Sequence, residues 1–178
     1  MRKKLSKRRN KITFMQIIEE KAEKILSHFG ADFIPVNVCD VAKKANVLIK
    51  YAPSKEFSGL LYRKDNNAFM AISSSESDVR QRFTIAHELG HFFLHPQKGT
   101  FVEFRDNEKN IARGMKEVQA NKFAAALLMP RKLLEKDVKS FKNTDLTKAA
   151  IKFLADKYHV SEEAMTFRLM NLNLSAVV

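Results

Sequence analysis

A single cysteine and the lack of a long apolar run narrow the settings in which this chain can work. Cys39 alone cannot form an internal disulfide, which favours a reducing, cytoplasmic compartment. Its neighbours in VNVCDVAKKA are largely apolar, so we expect a buried structural thiol and not a nucleophile. A membrane helix needs about 18 consecutive apolar residues, and no such run occurs, so no membrane partner is expected. The charged N-terminal segment also lacks the apolar stretch of a secretory signal.

Acidic residues are missing from residues 1–11, the basic arm MRKKLSKRRNK. This arm holds seven of the 32 lysines and arginines, so the rest of the chain is only mildly basic. The arm could attract nucleic acid or an acidic partner. A segment so poor in apolar residues is better explained as a disordered, solvated tail. We therefore predict a tail, and contact with nucleic acid through it is not favoured.

Hydrophobic periodicity predicts an α+β fold. ITFMQIIEEKAEKILSHFG reads as an amphipathic helix ended by Gly30, and a short helix capped by Asn37 follows Pro35. The runs VLIKY, SGLLYR and AFMAIS predict a small, mostly antiparallel three-stranded sheet. After the next helix, PQKGTFVEFRDNEKN reads as a loop with a short strand. A further helix is predicted from about Asn110 to Leu128.

The segment RFTIAHELGHFFLH places histidines at helical spacing. His87 and His91 are four residues apart, so on a helix they lie one turn apart on one face and can reach the same metal ion. Glu88 lies roughly 100° round the helix from His87, which suits a general base beside the metal better than a third ligand. This division of labour, two ligands and one base, is typical of zinc hydrolases.

The alternative is a pair of ordinary core histidines. The surroundings favour the metal site, because SSSESD upstream supplies helix N-caps and Pro96 ends the segment. His95 lies two turns beyond His87, about 12 Å along the helix, too far to share a small ion. We therefore predict that His95 interacts with exposed carbonyls at the end of the helix.

The third ligand must come from elsewhere in the chain. Glu117 and Asn121 are four residues apart on the next predicted helix, so they share a face. A carboxylate there could complete the site, and an amide one turn later could hold a histidine ring in place. Spacing alone leaves open a solvated helix face for Glu117, as well as three rival ligands: Glu103, Asp106 and Glu108.

The two helix motifs together resemble the ImmA/IrrE family of metallopeptidases. RQRFTIAHELGHFFLH followed by EVQANKFAAALLMP matches that family's paired active-site helices. The strand FSGLLYR and the C-terminal FLADKYHVSEEAMTFRLMNL also look like the family, so the resemblance covers roughly Val36 to Leu174. Many zincins share the first motif, whereas the pair is far more specific.

The resemblance implies a zinc endopeptidase. It makes His87, His91 and Glu117 the ligands, Glu88 the catalytic residue and Asn121 a support for the metal-bound imidazole. We further predict a zincin-like core at 12–130 and a C-terminal helical extension at 131–178 packed on that core. Characterised members cut, or cause the cutting of, a helix-turn-helix repressor, which switches on mobile-element or stress genes. The expected partner is therefore a specific protein.

The C-terminal segment supports a rival interpretation. LTKAAIKFLADKYHVSEEAMTFRLMNL reads as a helix to Tyr158, a turn at His159 and a second helix opened by Ser161, which looks like helix-turn-helix. The chain could then be a DNA-binding regulator, or a protein-binding anti-repressor, with a non-catalytic zinc site. The second helix opens with Glu162 and Glu163, which would repel phosphate, so packing on the core is favoured. The sequence leaves the group that stabilises the oxyanion open among four candidates: Tyr62, Arg80, Tyr158 and His159.

Overall fold

A computed structural model describes residues 14–31, 33–64, 67–95, 99–104, 111–141 and 146–174. Helices and strands follow one another there in the order α1 (Phe14–Phe29), α2 (Val38–Lys44), β1 (Val47–Ala52), β2 (Phe57–Lys64), β3 (Asn67–Ser73), α3 (Asp78–Leu94), β4 (Gly99–Phe104), α4 (Ile111–Leu128), α5 (Arg131–Lys139), α6 (Lys148–Tyr158) and α7 (Glu162–Asn171). The predicted α+β class is confirmed. The basic arm at 1–11 lies outside the described residues.

Local capping explains why the first elements end where they do. Gly30 takes a positive φ of 60°, a left-handed conformation that glycine adopts without strain, and it ends α1 as predicted. The Asn37 side chain accepts a hydrogen bond from the backbone N–H of Asp40, so the predicted cap of α2 is also confirmed.

The sheet contains four strands in the order β1-β3-β2-β4. Strand β2 pairs antiparallel with both β3 and β4, whereas β1 pairs parallel with β3. The three predicted strands are present, and most pairings are antiparallel as expected. The fourth strand comes from the stretch predicted as a loop with a short strand, and it extends the sheet beyond β2.

Helix α3 lies between the sheet and α4. Its central residues Thr84 to His91 are all buried, because β2 and β3 cover one side and α4 covers another. The crossing of α3 and α4 is close at Gly90, where a Cβ would lie 2.9 Å from the Cα of Ala120. Glycine is therefore required for these two backbones to approach each other.

The C-terminal helices are joined to the rest of the molecule by polar contacts. Arg168 of α7 is buried and donates hydrogen bonds to the carbonyl of Met129 and to the carboxylate of Glu19 on α1. Arg82 of α3 donates to the carbonyl of His159, the left-handed residue that ends α6. Ser161 caps α7. The predicted turn and second helix are confirmed, and these contacts place α7 against α1 and α4.

One prediction about burial is wrong. Cys39 is exposed on α2, with its Sγ 3.5 Å from the hydroxyl of Tyr51. The apolar neighbours that suggested burial, Val38 and Val41, face the core instead. A seven-residue helix has two sides, and Cys39 lies on the outer one. Among the described residues, none of the helices combines the length and apolar character needed to cross a bilayer.

Candidate active site

The histidines of α3 lie at the buried centre of the helix. The Ser77 side chain accepts a hydrogen bond from the backbone N–H of Arg80 and so fixes the helix start. His87, Glu88 and His91 are only 1%, 0% and 2% exposed. Histidine and glutamate side chains are rarely buried without polar partners. The groups that surround these three side chains therefore indicate what they do.

Three side chains from two helices converge. The Nε2 atoms of His87 and His91 lie 3.0 Å apart. Glu117 of α4 brings its Oε2 to 3.1 Å from His87 Nε2 and 3.4 Å from His91 Nε2. One ligand atom from each residue therefore lies within 4.8 Å of the other two, which suggests a metal ion.

Asn121 fixes the orientation of one histidine ring. Its Oδ1 lies 2.8 Å from His87 Nδ1. Because an amide oxygen can only accept, Nδ1 carries the proton, and the lone pair of His87 Nε2 points toward His91 and Glu117. Glu117 and Asn121, which lie one turn apart on α4, thus contact the two ring nitrogens of the same histidine, His87.

The donor set fits a divalent cation. Two imidazole nitrogens and one carboxylate oxygen form a combination that Zn²⁺ accepts, with a further coordination position left for water or substrate. Burial by itself would raise the pKa of Glu117, but in the metal-free cluster hydrogen bonds and positive charge from the protonated forms of His87 and His91 outweigh burial and hold that pKa well below its usual range. Glu117 is therefore ionised at neutral pH and gives the cluster the negative charge that a cation needs.

Glu88 lies on another side of α3, against strand β2. A Cβ built on Gly59 would lie 2.8 Å from Glu88 Oε1 and 2.5 Å from Thr84 Cγ2. The missing side chain of Gly59 therefore leaves room for the carboxylate. Sequence reasoning did not single out Gly59. The available signal was a glycine inside a strand pattern, which often marks a close approach by another group.

The end of α3 is held to the sheet by a second residue that the sequence did not reveal. Arg63 of β2 donates hydrogen bonds to the carbonyls of Phe92, at 2.5 Å, and of His95, at 3.4 Å. Its guanidinium also lies 4.3 Å from the centre of the Phe92 ring, and burial lowers the pKa of Arg63. A cation at a helix C-terminus stabilises the exposed carbonyls there.

His95 stays outside the cluster. It ends α3, its backbone N–H donates to the carbonyl of His91, and its Nε2 lies 3.4 Å from the carbonyl of Lys116 on α4. Burial lowers the pKa of His95. His95 lies at the end of α3 as predicted, but its ring meets a carbonyl of the neighbouring helix and not the carbonyls at the end of α3.

The four oxyanion candidates are in different places. Tyr158 is buried, and its hydroxyl is engaged as a donor to Asp137. Tyr62 packs on Phe69, on the face of β2 opposite Gly59. The His159 side chain is exposed at the end of α6. Arg80 is linked to the histidines through Phe83, since its guanidinium is 5.6 Å from the Phe83 ring centre and that ring is 6.3 Å from the ring of His87.

The side chains of the three rival ligands, Glu103, Asp106 and Glu108, lie outside the part of the structure that is described. Among the described residues, the only group of three potential metal-binding side chains is His87, His91 and Glu117.

Comparisons with known proteins identify a family and relatives for this chain. Residues 42–170 match the sequence profile of the IrrE N-terminal-like domain. The chain is 30% identical over 117 residues to "Metallopeptidase ImmA" of Bacillus subtilis (strain 168), which covers 66% of each sequence. It is 30% identical over 112 residues to "Uncharacterized immunity region protein 2" of Bacillus phage phi105, covering 62% of this chain and 67% of that protein. The aligned region thus spans about two thirds of each relative.

A solved structure shares the fold. A Mycobacterium tuberculosis transcriptional regulator superposes with a TM-score of 0.55 at 18% identity, over 86% of this chain and 46% of that one. At this identity the likeness is one of fold alone.

Proposed function

The chain belongs to the ImmA/IrrE family, as its match to the IrrE N-terminal-like domain shows, and on that premise we propose that it is a zinc-dependent endopeptidase acting on a specific protein. The observation that carries the proposal is the convergence of His87, His91 and Glu117 from two helices, with Glu88 buried beside them. A metallopeptidase among the relatives supports the reaction class.

The metal would be held by the two histidines of α3 and by Glu117 of α4. When bound, zinc supplies Lewis acidity, which polarises the substrate carbonyl and lowers the pKa of water. Asn121 keeps His87 in the tautomer whose Nε2 can act as a ligand. Such supporting residues typically change metal affinity or activity by roughly 10- to 100-fold when removed.

Glu88 would carry the protons. Its carboxylate follows His87 in the chain and lies against Gly59, so it can accept a proton from the attacking water without serving as a ligand. It then donates that proton to the amine nitrogen of the leaving peptide. The close approach of β2 limits the positions that this side chain can take, which keeps the base beside the reacting groups.

The substrate we propose is a helix-turn-helix repressor, whose cleavage would derepress mobile-element or stress genes. Support comes from the family resemblance of the two helix motifs and from a relative named for a phage immunity region. The compartment we propose is the cytoplasm, because the single Cys39 has no partner cysteine within the chain.

The rival interpretation, a DNA-binding regulator, receives less support. Glu162 and Glu163 open α7 and are exposed, where they would meet phosphate. The buried Arg168 on the same helix is engaged with Glu19 and Met129 and is not available to DNA. A binding module without catalysis remains the second candidate, and the following experiment separates it from the enzyme.

Wild type, Glu88→Gln and His91→Ala should be purified and compared for zinc content and for cleavage of helix-turn-helix repressors encoded near the gene. We expect one zinc per chain in wild type and in Glu88→Gln, and loss of most zinc in His91→Ala. Cleavage by Glu88→Gln should fall by a factor of roughly 100 to 10,000, the usual contribution of a positioned general base.

Two results would contradict the proposal. Full zinc occupancy in His91→Ala would exclude this metal site, and equal cleavage by Glu88→Gln and wild type would remove Glu88 from the mechanism. Repressor binding and derepression in cells without cleavage by any variant would support the binding module.

A further inference from the structure

A cleft of about 820 Å³ opens beside the candidate metal site, between α4, α7 and the start of α3. It borders the site, because Phe83 and Asn121 line the cleft and each also lies next to His87. Its volume lies within the range of roughly 300–1,000 Å³ that is usual for ligand sites. The cleft is thus large enough for several side chains of a bound polypeptide.

The inner surface of this cleft is apolar. Val118 of α4 and Phe167 of α7 face it while remaining 47% and 57% exposed. Single exposed apolar residues are ordinary, but these two share one concave surface with Phe83 and Val79. A continuous apolar surface of this kind indicates a binding site for apolar groups.

The polar residues of the cleft favour a negatively charged partner. Arg80, Lys122 and Arg131 lie along it, and the acid that accompanies them is Glu163, since the Glu19 carboxylate is engaged by Arg168. Arg80 pairs with Glu76 and Arg131 pairs with Glu135, yet the side chains of these two arginines remain 46% and 43% exposed.

Helix starts add to this positive character. The N-cap residues of α3 and α7, Ser77 and Ser161, and the first residue of α5, Arg131, all line the cleft. The N-terminal ends of helices carry partial positive charge. Apolar walls together with positive edges match an acidic polypeptide that also presents apolar side chains. They do not match a nucleic acid, whose outer surface is a polar backbone.

We propose that this cleft is the docking site for an acidic, apolar-containing segment of the protein substrate, which guides the adjoining peptide bond to the metal site. The inference rests on the proposed peptidase function. Apolar side chains of the segment would lie against Phe83, Val118 and Phe167. Its carboxylates would meet Arg80, Lys122 and Arg131.

Binding can be measured without hydrolysis by using zinc-loaded Glu88→Gln protein. The probes are two pools of fluorescein-labelled short peptides with the same leucine, phenylalanine, methionine and valine positions, one pool with glutamate between them and the other with lysine. We expect the glutamate pool to bind roughly tenfold more tightly at low salt, as three modest exposed charge pairs would give. This difference should shrink as salt is added.

Matched variants place the binding in the cleft. Phe167→Glu and Arg80→Glu should each weaken binding of the glutamate pool several-fold. The controls are Phe153→Glu and Lys152→Glu, two exposed positions of α6 outside the cleft, and they should leave binding unchanged. Circular dichroism and zinc content show that each variant is folded.

The outcomes separate this inference from the proposed function. Equal binding of the two pools, no binding of either, or equal effects of Phe167→Glu and Phe153→Glu would each overturn the docking site. Competition by a short DNA duplex that also depends on Arg80 and Phe167 would overturn it in favour of nucleic acid. Binding by Glu88→Gln together with no hydrolysis by wild type would count against the peptidase and leave the docking site standing.

Discussion

Gly59 of strand β2 lies close to the side chains of Thr84 and Glu88 on α3. There is no space for a Cβ at this position of strand β2, because it would overlap the side chains of Glu88 and Thr84 on α3. A general base is useful only in a narrow range of positions, because misplacement of reacting groups by about 1 Å can cost roughly 100-fold in rate. The absence of a side chain at residue 59 would therefore contribute to the proposed role of Glu88 as general base.

We predict that Gly59→Ala lowers peptidase activity while zinc stays bound. The new methyl group would collide with Thr84 Cγ2 and Glu88 Oε1, and such overpacking typically costs about 1–3 kcal/mol of unfolding free energy. Thermal unfolding, zinc analysis and cleavage rates on the same preparation measure the three effects.

Adding Thr84→Ser to Gly59→Ala makes this test sharper. The serine removes the methyl group at 2.5 Å but leaves the contact with Glu88. Stability should therefore recover more than activity does. Wild-type activity in the single variant would show that Glu88 does not depend on the space at Gly59.

The sequence predicted single residues well where the signal was local. His87, His91 and Asn121 stand at helical spacings, and the structure brings them together through the contacts that this spacing allows. Spacing could not choose Glu117 over its rivals, because that choice depends on how α4 packs against α3, and the family resemblance supplied it. Gly59 and Arg63 were missed because each acts on a group some 30 residues away.

At the scale of elements, helix ends were predictable and strand order was not. Asn37, Ser77 and Ser161 each accept a hydrogen bond from the backbone N–H group three residues further on, so the necessary signal lies within one helical turn of sequence. Strand β1 instead pairs with β3 and not with its neighbour β2. Alternating apolar residues predict a strand without saying which partner it has.

The crossing of α3 and α4 gives an element-scale prediction. In Gly90→Ala the new Cβ would meet backbone atoms of Ala120 at 2.9 and 3.0 Å. Backbone atoms cannot change rotamer to relieve a clash, so the two helices must move apart. This movement would increase the distance between Glu117 and the two histidines. We expect zinc affinity to fall at least about tenfold, the lower end of the effects seen when a metal ligand's support is lost.

Gly114→Ala is the matched control for that prediction. Gly114 is exposed on α4, and nothing lies within 4 Å of an added Cβ. Alanine there should leave zinc affinity unchanged and add about 0.5–1 kcal/mol of stability. Competition with a chromophoric chelator gives the affinities, and equal affinity in the two variants would show that the close crossing is not needed for the site.

At the scale of the whole molecule, a few polar contacts join the C-terminal helices to the rest. Arg168 connects α7 to α1 and to the end of α4, while Lys132 of α5 lies 3.0 Å from Glu23 of α1. The proposed boundary at 130/131 therefore separates two chain segments, the core and the C-terminal helices, that pack against each other. Because α7 forms a wall of the cleft, these contacts also fix the width of the proposed docking site.

Metal binding by the proposed cluster of His87, His91 and Glu117 would also make the stability of the folded protein depend on the metal concentration. Glu117 lies 26 and 30 residues from the two histidines along the chain, so the unfolded chain does not hold the three together. A ligand that binds only the native state stabilises it by about 2.7 kcal/mol when present at roughly 100 times its dissociation constant. For a chain of this size that corresponds to a rise in melting temperature of about 5–10 °C.

Scanning calorimetry at increasing free zinc should therefore show a melting temperature that climbs with the logarithm of zinc concentration, and a chelator should reverse it. His91→Ala should show little dependence. A wild-type melting temperature that ignores zinc would mean that the cluster binds no metal tightly. The zinc concentration in a cell would then affect the lifetime of the folded protein. At low zinc the protein would lose activity, and more of it would also unfold and be degraded.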